Sequence, residues 1–82
     1  MKEVYVITGE LLDDLVDYGI DIIGVASSVT EADKMIKEYF GEYQQLDFND
    51  VRDSGIENTR TIKDSDGDKH RVTVMWYLID KL

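Results

Sequence analysis

Three groups of residues have the types and spacing to do chemistry. Asp64, Asp66 and Asp68 alternate like the opening of a calcium loop, which places oxygen ligands at every second position. The pattern then breaks: an EF-hand loop needs Gly at its sixth position and a bidentate Glu at its twelfth, whereas Gly67 stands fourth and Met75 twelfth. The run therefore reads as a turn, and no metal ligand is assigned. His70 is the one side chain whose ordinary pKa lies near neutrality, the property a general base needs. Standing between Lys69 and Arg71, it reads instead as an exposed residue at a strand start. Ser27, Ser28, Ser54 and Ser65 lack a Gly-x-Ser-x-Gly setting, and Gly9, Gly19 and Gly24 lack phosphate-loop spacing. Carboxylate-pair hydrolysis needs two acids held about 5–10 Å apart across a pocket, which so small a domain has little room for. The expectation is a non-enzyme with no cofactor.

The third group is the acids themselves. The net charge is −9, from 18 acidic and 9 basic residues. Residues 10–57 hold 13 of the acids against Lys34, Lys37 and Arg52, a balance of −10; the rest of the chain is +1. A concentrated charge creates a field that a basic partner can read. Glu10, Asp13, Asp14 and Asp17 stand at i, i+3, i+4 and i+7, one face of a helix, with Asp21 close behind. Asp47, Asp50 and Asp53 recur at threes as a second patch. Such arrays imitate the charge density of duplex DNA, about one charge per 1.7 Å of axis, and suit Arg/Lys clefts built for phosphates. The plainer reading is a solvated, solubilising surface.

The elements that must position these residues follow from pattern. Residues 2–8 (KEVYVIT) read as a strand, with Val4 and Val6 on one face and Tyr5 and Ile7 on the other. Residues 9–18 read as a short helical segment, started by Thr8 and stopped by Gly19. Residues 20–26 (IDIIGVA) are a second strand. Ser28 and Glu31 form a capping box before an apolar stripe of Ala32, Met35, Ile36, Tyr39 and Phe40, so a helix spans 28–40 and stops at Gly41. Residues 42–56 are ambiguous between strand, loop and a turn of helix, ending at the Ser54-Gly55 turn. Residues 57–79 read as a C-terminal β-hairpin: a Thr-rich exposed edge strand, a turn at 64–68 and an apolar inner strand. The fold class expected is α+β, a small, largely antiparallel sheet with the 28–40 helix packed on one face.

Bulk composition narrows the class. Eighty-two residues make one domain with a modest core. A hydrophobic fraction of 43% argues for a folded chain despite the charge. With no cysteine there is neither a disulfide nor a thiolate zinc site. No apolar run approaches the roughly 18 residues of a membrane span, and no signal-peptide core is present, so a cytoplasmic location and no membrane partner are expected. Phosphates would be repelled at this charge, so no direct nucleic-acid partner is expected.

Tyr5-Val6-Ile7-Thr8-Gly9, then Tyr18-Gly19-Ile20-Asp21, then Gly24-Val25-Ala26-Ser27-Ser28 leading into Thr30-Glu31-Ala32, resembles a set of short phage and prophage proteins. These have a strand, a YGI turn, a second strand ending in FSS or FST, and a helix opening xEKAE. The likeness covers residues 3–40, and its motifs are structural. Two departures stand out: the Glu10–Asp17 stretch is inserted, and Ala26 stands where an aromatic is usual. No catalytic residues carry over. The resemblance implies a phage or mobile-element origin, where small acidic proteins often inhibit host defence, anti-CRISPR proteins among them.

These readings combine into one expectation: an inhibitor that binds a basic, nucleic-acid-handling surface of a host defence protein, such as a CRISPR effector, and blocks DNA access by mimicry. Its contacts would be Glu10, Asp13, Asp14, Asp17, Asp21, Asp47, Asp50 and Asp53. The runner-up is a phage structural, assembly or interaction module, homo-oligomeric in one form, with acids serving solubility alone.

Overall fold

The computed structural model describes residues 2–12 and 19–80. In chain order these form β1 (Lys2–Leu11), β2 (Ile20–Ala26), α1 (Val29–Phe40), β3 (Tyr43–Asp53), β4 (Ile56–Asp64) and β5 (Lys69–Ile79). The five strands make one antiparallel sheet in the order β2-β1-β5-β4-β3. No helix among the described residues is long and apolar enough to cross a membrane.

This architecture corrects the α+β expectation. Among the described residues 66% are strand and there is one helix, so the sheet dominates and is no small platform for helices and an appended hairpin. Three local reasons account for the difference. First, β1 does not stop at Thr8: Gly9, Glu10 and Leu11 continue it, opposite Val72, Arg71 and His70 of β5. The helical segment expected over 9–18 is thus strand at its start, and 13–18 lie outside the described residues. Second, the ambiguous 42–56 region is a full edge strand with two bulges, turning back at Ser54 and Gly55. Both of those residues have positive φ (54° and 82°), the signature of a type I′ turn. Third, β5 inserts between β1 and β4, so β4 is internal and β3 is the edge.

The core lies between one sheet face and α1. Tyr5 and Ile7 of β1, Val72 and Val74 of β5, Ile62 of β4 and Ala26 of β2 meet Ala32 and Ile36 of the helix. Removing apolar area from water is worth about 25 cal/mol per Å², so burying this cluster stabilises the fold. The Ser28 hydroxyl accepts from the Glu31 N–H at 3.1 Å, capping α1. The Glu31 carboxylate in turn accepts from the Ser27 hydroxyl (2.6 Å) and N–H (3.1 Å), one residue earlier than in the usual box. Helix and sheet approach closely because Gly24 has no side chain: a Cβ there would stand 3.0 Å from Met35 Sδ.

Candidate protein-interaction surface

The described acids of the two expected patches are split across the sheet. Glu10 and Asp21 lie on β1 and β2, and Asp47, Asp50 and Asp53 lie on β3. With strands about 4.8 Å apart, the two edge strands stand roughly 19 Å from one another. The single helical array expected from Glu10, Asp13, Asp14 and Asp17 is corrected at its first member, because Glu10 is on a strand. Asp13, Asp14 and Asp17 lie outside the described residues. Between the two groups, Arg71 and Lys63 on the central strands interrupt the negative surface.

The β3 acids have local partners. Asp47 Oδ1 accepts from the Thr61 N–H across the bulge at 2.8 Å. Arg52, whose backbone has a positive φ of 47°, places its Nε 3.0 Å from Asp50 and 3.7 Å from Glu57. The Ser54 hydroxyl donates to Asp53 at 3.4 Å. These contacts are exposed and hold side-chain positions more than they stabilise the fold. The same strand shows Leu46, Phe48 and Val51 to solvent. Acidic and apolar side chains therefore share one edge, whose outer backbone groups have no neighbouring strand among the described residues.

Behind this edge is a cluster that pattern reading misses. Arg60 on β4 is only 5% exposed. Its Nη2 donates to Asp33 of α1 at 2.9 Å and to Asn58 at 2.8 Å, and its guanidinium carbon sits 5.0 Å from the Phe48 ring centre. The buried Nε has no hydrogen-bond partner among the described residues. Residues 57–63 look uniformly wet in sequence, yet Asn58, Arg60 and Ile62 all point inward. The period-2 alternation was the available signal; the polar character of Asn58 and Arg60 hid it.

The other candidate groups lie at the β4–β5 turn. Asp64 Oδ1 accepts from the N–H groups of Asp66 (2.9 Å) and Asp68 (3.0 Å), while a 2.7 Å hydrogen bond joins its Oδ2 to His70 Nε2. Both oxygens therefore serve the β4–β5 turn. The hydrogen bond from His70 is the chief reason the Asp64 carboxyl is held below the ordinary carboxylate range; burial opposes it, and the two turn N–H groups reinforce it. His70 is half-buried rather than exposed, with the Phe40 ring 5.0 Å away. With Gly9, Leu11, Asp21 and Tyr39 it lines an open cleft of about 370 Å³ at the end of α1. Among the described residues no group of three or more His, Cys, Asp or Glu is placed to hold a metal ion. No family model, curated protein or solved structure matches this chain.

Proposed function

We propose that this chain is a non-enzymatic acidic interaction domain, an inhibitor that engages a basic, nucleic-acid-handling protein surface along strand β3. The observation that carries the reading is the edge itself. The strand runs eleven residues and pairs on one side only, ten of its residues are exposed, and they mix Asp47, Asp50 and Asp53 with Leu46, Phe48 and Val51. An open edge offers main-chain hydrogen bonds to an extended segment, and alternate side chains then select it. Self-pairing of two β3 strands would bring acids against acids, so a segment carrying Lys or Arg is the favoured guest. The wider −10 balance over 10–57 steers such a partner from a distance.

The test is a titration of the isotopically labelled chain with an extended peptide alternating Lys and Val, followed through backbone amide shifts. Shifts confined to residues 43–53, weakening as salt rises, are expected. Shifts elsewhere, or binding indifferent to salt, would remove the β3 reading. A basic nucleic-acid-binding protein captured by the chain should also be released by duplex DNA. Retention in excess DNA would discard mimicry and leave an ordinary docking surface. The assembly reading gains support from a separate feature, the apolar outward face of β2.

A further inference from the structure

A half-buried antiparallel sheet normally turns polar side chains outward on its wet face. Over β2, β1 and β5 this sheet is largely apolar instead. Because Tyr5 and Ile7 point under α1, alternation sends Val4, Val6, Thr8 and Glu10 to the opposite face. The β5 residues beside them, in the same order, are Tyr77, Met75, Thr73 and Arg71. On the other flank, Val25, Ile22 and Ile20 of β2 stand beside Val6, Thr8 and Glu10. Ile22 is 71% exposed, Ile20 64% and Val25 55%. An apolar patch of this kind on a chain of net charge −9 marks a contact surface.

We infer that a second copy of the chain covers this face, packed sheet on sheet about a two-fold axis that runs parallel to the strands between β1 and β5. Charge argues for a copy rather than a foreign guest. From the Val4–Tyr77 row to the Glu10–Arg71 row, these three strands carry one outward acid and one outward base, neighbours on either side of the axis. Neither is in an ion pair among the described residues. The two-fold rotation sets each copy's Glu10 opposite the other's Arg71, twice, and lays Val6 over Met75, Val4 over Tyr77 and Thr8 over Thr73. No like charges meet in these rows. Size argues the same way. The molecule measures 40 × 24 × 20 Å, so its broad face can supply the roughly 800 Å² per partner of a standard interface. Strand β3 lies outboard of the axis, so its edge stays open in both copies and the dimer does not depend on the function proposed above.

The test is the mass of the full chain in solution by sedimentation equilibrium over a range of concentrations. The unmodified chain should reach dimer mass. Glu10→Arg and Arg71→Glu should each weaken self-association at least about tenfold, because like charges then face each other. Mixing the two variants in equal amounts should restore a dimer, since every Arg in the mixed pair meets a Glu. Ile22→Lys, at a solvent-exposed position, should also be monomeric. Circular dichroism confirms that each variant is folded. An unmodified chain that stays monomeric at every concentration overturns the inference. So do variants that dimerise as tightly as the parent, or folded charge variants whose mixture stays monomeric. If the charge variants do not fold, a dimeric Ile22→Lys overturns it and a monomeric one supports it. None of these masses bears on the peptide shifts at 43–53, so the two proposals fail separately.

Discussion

Arg60 Nη2 donates to Asp33 Oδ1 at 2.9 Å, joining β4 to α1 across 27 residues of sequence. The guanidinium is nearly buried while the carboxylate is half in water. A buried cation that loses its counter-charge is costly, whereas replacing the whole pair by apolar groups often is not. Asp33→Ala should therefore lower stability by about 1–3 kcal/mol, the modest end reflecting Asp33's exposure. Asp33→Ala combined with Arg60→Met should recover part of that loss. Urea melts of the four species give the coupling directly; strict additivity would show that the two residues do not sense each other.

Acid should act on the β4–β5 turn. A folded-state pKa below the ordinary value means that the unfolded chain binds the proton more readily. Asp64's contribution is then complete above the ordinary carboxylate range, near pH 4, and is lost as pH falls through the lower folded value. Glu31 adds to the same window, lowered first by the Ser27 hydroxyl and then by the Ser27 N–H. Thermal melts from neutral pH to about pH 2 should show a falling acid limb. Asp64→Asn should melt lower at neutral pH and have a shallower limb. Parallel limbs would mean the turn carries no linked proton.

The β3 acids should be separable from the rest of the charge. Asp50→Asn with Asp53→Asn should leave stability within about 1 kcal/mol, because their partners are exposed. The same pair should weaken binding of a basic peptide and flatten its salt dependence. Glu10→Gln, on the far side of the sheet, should do neither. Equal effects from all three positions would point to a diffuse field in place of a defined edge.

Helix seating can be checked at one glycine. Gly24→Val would drive a branched side chain into Met35 Sδ, which an added Cβ alone already approaches to 3.0 Å. Overpacking of this kind costs about 1–3 kcal/mol. Met35→Ala should relieve it when combined with Gly24→Val, a rescue visible in the melting temperature.

Where a residue's role is local, its type announced it. Ser28 and Glu31 mark the start of α1 through side-chain hydrogen bonds within one turn, and Ser54-Gly55 marks the β3–β4 reversal through its backbone conformation. Where the role is tertiary, the signal fades. Strand β3 has an apolar neighbour on neither face along most of its length, and bulges at 45–47 and 50–53 shift its alternation, so no clean period survives. Gly9 looks like a stop, yet it sits inside β1 because Ile23 and Phe40 come within 3.1 and 3.8 Å of where its Cβ would be. Asn58 and Arg60 look wet because their partners are supplied by other segments of the chain. The acids were legible as a composition, but their separation across the sheet follows from strand order, which composition does not encode.

Strand order also sets a timetable. β1 takes β5 as its inner neighbour, so the centre of the sheet joins the first and last described strands. Three hairpins, β1–β2, β3–β4 and β4–β5, can close locally, but nothing links the first to the other two until β5 docks on β1. Contacts of such long sequence separation place folding in the millisecond-to-second range, slower than helical domains of equal size. On the ribosome the N-terminal hairpin must wait, unfinished, for residues 69–79 to emerge. Substitutions in β5, such as Val74→Ala, should therefore slow refolding, while those in the β3–β4 turn should chiefly speed unfolding.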